Sequence, residues 1–330
     1  MVNNNTNLTT ITMQELYEQI YRSRPPVIDG LLYPGTYIFA GAPKVGKSFF
    51  MAQLAYHIST GQKLWEYEVQ QGTVLYLALE DNYQRLQERM FRMFGVNSTE
   101  NLHFAVCAGQ LNNGLDEQLK QFIKTHSDTK LIIIDTLQKI RELGGEAYNY
   151  AEDYQIIGRL KQFADDNKLC LIIVHHTRKA PAGDKFEMIS GTTGLLGCAD
   201  GAFILQKEKR TSNTAILDIV GRDQPDQKIH LIRNEETLAW DFSSAEKELW
   251  QEPPDKLLES IAKLITPDKP KWNGTATELI AALGLDIKPN ALAMRLNVRA
   301  SKLANDYGIS YESSRSHAGR AITLTLIETT

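Results

Sequence analysis

Cysteine is scarce: Cys107, Cys170 and Cys198 are the only three in 330 residues, all in apolar stretches and none at metal-ligand spacing. That excludes a disulfide framework and a cysteine zinc site, and suits small core side chains in a reducing compartment. No apolar run is long enough to span a bilayer, and the asparagine-rich N-terminus has no basic segment leading into an apolar one. A soluble, unexported, cytoplasmic chain is expected. An excess of one charge is also lacking, since the formal net charge is −4 with 23% charged residues, so any nucleic-acid contact must be local. The length favours one large domain plus a smaller one, and 42% hydrophobic content supplies a sizeable core.

What is present centres on Gly41-Ala42-Pro43-Lys44-Val45-Gly46-Lys47-Ser48, which fits the phosphate-loop pattern of Gly, four free positions, Gly, Lys, then Ser or Thr. Thr36 to Ala40 reads as a buried strand before it, and Phe49, Phe50, Leu54 and Ile58 recur at helical spacing after it. Glycines at 41 and 46 permit close backbone approach, so amide N–H groups at the helix N-terminus can turn onto phosphate oxygens. Lys47 would then reach the β and γ phosphates of ATP, Ser48 would ligate Mg2+, and Phe49 completes the nucleotide-binding set. The bland alternative is a chance glycine turn with an exposed lysine.

Further buried strands are expected at Thr73 to Leu79, His103 to Val106, Leu131 to Asp135 and Leu169 to Val174, alternating with helices over Asn82 to Phe94, around Leu115 to Ile123, and through Tyr154 to Phe163. That alternation implies an α/β fold with a mainly parallel sheet covered on both faces. Stretches 201–205, 215–220 and 227–232 come without intervening helices and read as an antiparallel extension. The expected division is an N-terminal arm over 1–28, a nucleotide-binding domain over 29–242, a linker with Pro253-Pro254 over 243–255, and a smaller unit over 256–330. In the arm, residues before Thr10 read as disordered. Thr12 and Glu15 then make a capping box for a short helix whose stripe of Met13, Leu16, Tyr17 and Ile20 needs burial on its own domain or on a neighbouring subunit. The last unit shows three helical patterns and two strands, which suggests a winged helix.

Ligands of such sheets bind beyond the carboxyl ends of the strands, where four groups fall. Asp135 is placed to orient a magnesium-bound water, or else caps the next segment. Glu80 is placed to take a proton from the attacking water, or is a solvated strand-end acid. His176, the second of a histidine pair, is placed to contact the γ phosphate, or is a packing feature or a metal ligand. Arg222 is placed to reach a neighbour's γ phosphate as a trans-acting finger, or pairs with Asp223 or Asp226 at the surface. Two loops, 141–150 and 178–190, leave the same strand ends, and Arg178, Lys179 and Lys185 of the second suit a phosphate backbone unless the loop is merely solvated.

Together, the loop Gly41 to Ser48, Leu79-Glu80-Asp81, Ile134-Asp135-Thr136-Leu137-Gln138 and Val174-His175-His176-Thr177 resemble RecA-type ATPases, specifically the RepA-like hexameric replicative helicases of plasmids and mobile elements. The resemblance spans roughly 29–242 and implies an ATP- and Mg2+-dependent ring motor on single-stranded DNA, serving a mobile element or phage. By that resemblance Lys47 and Ser48 bind phosphate and magnesium, Asp135 orients the metal water, Glu80 is the base, His176 is the γ-phosphate sensor, and the two loops line the DNA channel. RepA-like enzymes carry an arginine near the region of Ala199-Asp200-Gly201, which has none here, whereas Arg222 matches the finger position of DnaB-like helicases with Val220 where a lysine is usual. A RecA-type regulatory or recombination-mediator ATPase without unwinding is the alternative. In the C-terminal unit, Lys288, Arg295, Arg299 and Lys302, with Arg315, His317 and Arg320, are placed for DNA, and docking of a replication partner protein is the competing expectation.

Overall fold

The computed structural model describes all residues except 1–7, 9, 23–24, 112, 142–149, 178–184, 190–192, 223, 248–253, 317–318 and 328–330, and leaves side chains undescribed at 150–152, 185, 187, 193–194, 247, 315–316 and 319–320. The chain forms two compact units, one of Pro26–Trp250 and the other of Met1–Pro25 with Gln251–Thr330.

The larger unit is built on a nine-stranded sheet of order β3-β2-β4-β5-β1-β6-β7-β8-β9. Its strands are β1 (Gly35–Gly41), β2 (Thr73–Ala78), β3 (Leu102–Ala105), β4 (Thr129–Asp135), β5 (Cys170–His176), β6 (Gly201–Gln206), β7 (Thr214–Gly221), β8 (Gln227–Arg233) and β9 (Trp240–Lys247). In sheet order, strands β3 through β6 run parallel, and β7, β8 and β9 each pair antiparallel with their predecessor. β1 and β2 are buried at every residue, because both sheet faces are covered. On one face α2 (Lys47–Thr60) and α3 (Tyr83–Phe94) pack Phe50, Met51, Leu86 and Met93 against Phe39 and Tyr76. On the other, α4 (Leu115–Thr125), α5 (Leu137–Ile140) and α6 (Tyr150–Asn167) bring Leu119, Ile140, Ile157 and Leu160 onto Ile38, Ile132 and Ile173. Burial of each such aliphatic side chain is worth roughly 1.5–3 kcal/mol.

Two expectations about the sheet are corrected. β6 was expected to open the antiparallel extension but pairs parallel with β1, and α7 (Thr193–Cys198) precedes it; six residues with two glycines hide the helical period. The antiparallel part therefore starts at β7. The sheet also runs past the expected end at 242, since β9 continues to Lys247 through residues read as linker. Its Ser243-Ser244 and Glu246-Lys247 make an edge strand look like a polar connection, as edge strands do.

The smaller unit contains α8 (Lys256–Leu264), β10 (Lys271–Thr275), α9 (Ala276–Leu283), α10 (Pro289–Tyr307), β11 (Ile309–Ser316) and β12 (Gly319–Leu326), with sheet order β10-β12-β11. That is the expected winged-helix arrangement plus a third strand, β10, whose Lys271-Trp272-Asn273-Gly274 lacks a strand pattern. A Thr275–Glu278 capping box starts α9, and Gly284 and Gly308 end α9 and α10 at φ 64° and 63°, a conformation glycine enters without Cβ strain.

α1 (Met13–Glu18) begins at the expected Thr12–Glu15 capping box and lies on α10. Asn297, 1% exposed, donates from Nδ2 to the carbonyls of Tyr17 (3.0 Å) and Glu18 (3.1 Å) and accepts from the Tyr311 hydroxyl at 3.0 Å. The arm thus belongs to the C-terminal unit. Only Ile20 of its expected stripe joins that unit's core, while Met13, Leu16 and Tyr17 stay exposed. Helix attachment here rests on polar contacts to α10, a feature that apolar periodicity does not report.

Candidate nucleotide-binding site

β1 delivers its chain to a tight loop, and α2 starts at Lys47. Gly46 has φ 113°, and a Cβ there would stand 2.4 Å from Nη1 of Arg233; a Cβ on Gly41 would stand 2.7 Å from the Leu205 carbonyl. Both positions therefore require glycine. The loop opens on a cleft of about 640 Å³ lined by Lys47, Ser48, Glu80, Asp135, Thr136 and His176 among others. All lie at the carboxyl ends of β1, β2, β4 and β5 or just beyond them.

Lys47 Nζ donates to the carbonyls of Gly41 (2.8 Å) and Ala42 (3.1 Å) and lies 3.3 Å from His176 Nδ1. Burial lowers its pKa to about 8 against the opposing pull of Asp135 and Glu80, so it is a cation short of an anion. Asp135, 6% exposed, accepts from the Tyr76 hydroxyl at 2.9 Å and from Ser48; burial raises its pKa and those two hydrogen bonds oppose the rise. Glu80 stands two residues beyond β2 and accepts a 3.0 Å hydrogen bond from Thr136 Oγ1. Thr136 follows Asp135 across a cis peptide bond. His176 is the last residue of β5; burial first, then Lys47, lowers its pKa, which keeps the ring neutral at pH 7. A neutral imidazole accepts at Nδ1 from Lys47 and keeps Nε2–H to donate into the cleft.

Lys47, Ser48, Asp135, Glu80 and His176 are thus brought together as expected. Phe49 is present too, with its ring under the Arg89 and Arg233 guanidiniums at 5.1 and 4.3 Å. Arg222 is elsewhere. It follows β7, whose Gly221 pairs with Gly201 at the start of β6, so it stands at the amino-terminal edge of the parallel strands, opposite the cleft, donating to the Gly197 carbonyl at 3.1 Å. Asp200, in the region where an arginine was sought, is structural: it accepts from Thr36 N (2.9 Å) and from Lys161 Nζ (2.5 Å), tying α6 to β1. Residues 142–149, 178–184 and 190 of the two channel loops, and the side chains of Lys185, Arg315, His317 and Arg320, lie outside the described residues.

The cleft also holds cations that motif reading missed. Arg89, on α3, turns in to pair with Asp81 at 2.6 Å. Arg233, at the end of β8, and Lys207, just after β6, lie at the same sheet edge as the phosphate loop. The only sequence signal for Arg233 is a basic residue closing a strand parallel to β1, and that requires the sheet order.

The donor set fits a magnesium nucleotide. Magnesium takes one or two protein oxygens plus phosphate oxygens, and Ser48 with buried Asp135 supplies that much. Among the described residues no group of three His, Cys, Asp or Glu side chains is close enough to hold a metal alone. Lys47 folded back onto loop carbonyls is a cation whose positions a phosphate would take over.

Many solved structures share the fold, among them these two. One, described as an ATPase domain, superposes with TM-score 0.53 at 16% identity, covering 64% of this chain and 85% of that one. A DnaB-like replicative helicase, solved in a study of its interactions with primase, gives TM-score 0.55 at 17% identity over 71% of this chain and 67% of that one. No curated protein matches the sequence. A family model described as an AAA domain matches residues 5–182, more than half of the 330-residue chain, and the protein belongs to that AAA-domain family.

Proposed function

We propose that the protein is an ATP-hydrolysing motor acting on single-stranded DNA as one subunit of a ring, with the work of a replicative helicase. The observation that carries this reading is the convergence of Lys47, Ser48, Asp135, the Glu80–Thr136 pair and His176 in one cleft at the carboxyl edge of a parallel sheet. The fold shared with a replicative helicase supports the motor class.

Lys47 would hold the β and γ phosphates and the loop amides the α and β, while Ser48 and Asp135 would hold magnesium, which when bound would supply Lewis-acid polarisation of the γ phosphoryl group. Glu80, oriented by Thr136, accepts a proton as water oxygen attacks the γ phosphorus and ADP leaves. His176 is poised to report the γ phosphate through Nε2 to the segment that follows β5. Arg222 stands on the opposite edge from its own cleft, so a γ phosphate it reached would be a neighbour's. A ring, hexameric in the resembling family, supplies that neighbour, and a primase-type partner at the C-terminal unit fits the company of the DnaB-like relative.

The test is strand displacement on a forked duplex with ATP hydrolysis followed with and without single-stranded DNA. Stimulated hydrolysis with displacement is expected. Stimulated hydrolysis without displacement would sink the helicase reading and leave a non-unwinding ATPase.

A further inference from the structure

The cleft has a second cationic arm that no phosphate-loop motif contains. Arg233 closes β8 with its guanidinium carbon 4.3 Å from the centroid of the Phe49 ring and 4.9 Å from that of Trp240. Its Nη1 crowds Gly46 so closely that no Cβ fits there. Trp240 is fully buried and is locked by Gln53 on α2, which accepts from its backbone N–H at 2.8 Å and donates to its carbonyl at 2.9 Å. Arg233 is therefore held rigidly against the first turn of the phosphate-loop helix.

Its charge is not neutralised in place. Among the described residues no carboxylate pairs with Arg233, and its buried Nε–H has no hydrogen-bond acceptor. Arg89 has the same defect at Nε and Nη1, although Nη2 reaches Asp81. Asp81 already serves Arg85 and Arg89. Burial, with Arg92 and Arg89 close by, lowers the Arg233 pKa to about 10, so it remains charged at neutral pH in a field of like charge. Buried donors without acceptors beside several cations call for an anion.

Geometry narrows that anion. Its guanidinium carbon is within cation–π distance of two aromatic rings, which leaves the N–H donors to be satisfied by a ligand. Arg233 lies against Gly46 and Phe49, the residues before Lys47 and after Ser48, which places it at the turn of the phosphate loop itself. In phosphate loops the backbone amides of this turn cradle the α and β phosphates.

We infer that Arg233, clamped between Phe49 and Trp240, is a cis-acting ligand for the α,β-diphosphate part of the nucleotide, the part common to ATP and ADP. The inference rests on the nucleotide reading above and adds to it a binding residue from the antiparallel half of the sheet. Charge-assisted hydrogen bonds from an arginine fork make the expected loss on removal about 10- to 100-fold in affinity.

Titration of the full chain with magnesium ADP and with a non-hydrolysable magnesium ATP analogue tests it. Arg233→Gln is expected to weaken both ligands by a similar factor, Arg233→Lys by less, and Ile232→Ala, on the exposed neighbouring position, not at all. Thermal melts of the apo variants check folding, and Arg233→Lys carries the test if Arg233→Gln unfolds. ADP affinity within twofold of wild type in the folded Arg233 variants would overturn the inference, as would a loss confined to the ATP analogue, which places Arg233 at the γ phosphate. A wild-type chain that binds neither ligand would overturn the nucleotide reading itself.

Discussion

The two halves of the main sheet contribute to the site in opposite ways. In the parallel half, β1, β2, β4 and β5 all end at one edge, so their carboxyl-terminal residues meet there whatever the loops between them do. In the antiparallel half, successive strands end at alternate edges: β8 delivers Arg233 to the cleft, while β7 delivers Arg222 to the far edge. One hairpin therefore supplies a cation to its own cleft and another that faces away from it. Direction, not composition, separates their roles.

The sharpest way to break that comparison is at Arg222. If it serves a neighbour, Arg222→Ala lowers steady-state hydrolysis by about 10³–10⁵-fold, the range for trans-acting fingers, while ADP affinity of the same chain is kept. A fall in ADP affinity would return Arg222 to its own site. On the parallel side, Glu80→Gln is expected to lower kcat by about 10²–10⁴-fold with ATP binding retained, measured by single-turnover hydrolysis and filter binding. Turnover that survives would remove Glu80 as the base.

A third effect belongs to Lys47. Its folded pKa of about 8 lies below the 10.5 of the unfolded chain, so below pH 8 both states are protonated and the cost of burying the charge is fully present. Between pH 8 and 10.5 the folded state is the first to shed its proton, and apo stability rises by up to ~3 kcal/mol. Denaturant melts across that range should show the rise in the wild type and lose it in Lys47→Met. Nucleotide affinity should run the other way and fall above pH 8. The smallest effect is Thr136→Val, which removes the hydroxyl that orients Glu80 and should lower kcat by roughly tenfold with ADP affinity unchanged. An equal loss in ADP affinity would make Thr136 a packing residue.

Legibility in the sequence followed the same divide. Lys47 stood out through the phosphate-loop pattern, and Asp135, Glu80 and His176 because each closes or follows a continuous apolar strand, and parallel strands converge without further information. Arg233 was missed because its relevance depends on β8 running parallel to β1 through two intervening antiparallel steps, which no local pattern encodes. Arg89 was overlooked because the apolar period of its helix says nothing of where an arginine turns, whereas Asp81 draws it inward to a side chain 11% exposed. β9 and β10 hid behind polar residues, and α1 joined the C-terminal unit through Asn297, a buried amide that apolar periodicity cannot report.

If each chain carries half of two sites, mixing of subunits with complementary defects restores activity. Lys47→Ala removes a chain's own nucleotide site and Arg222→Ala its contribution to a neighbour, so each variant alone should be nearly inactive. Mixed before assembly, they should recover ATP hydrolysis in proportion to interfaces that pair an intact Lys47 with an intact Arg222 from the adjacent subunit. No recovery at any mixing ratio, with native mass confirming mixed assemblies, would contradict it.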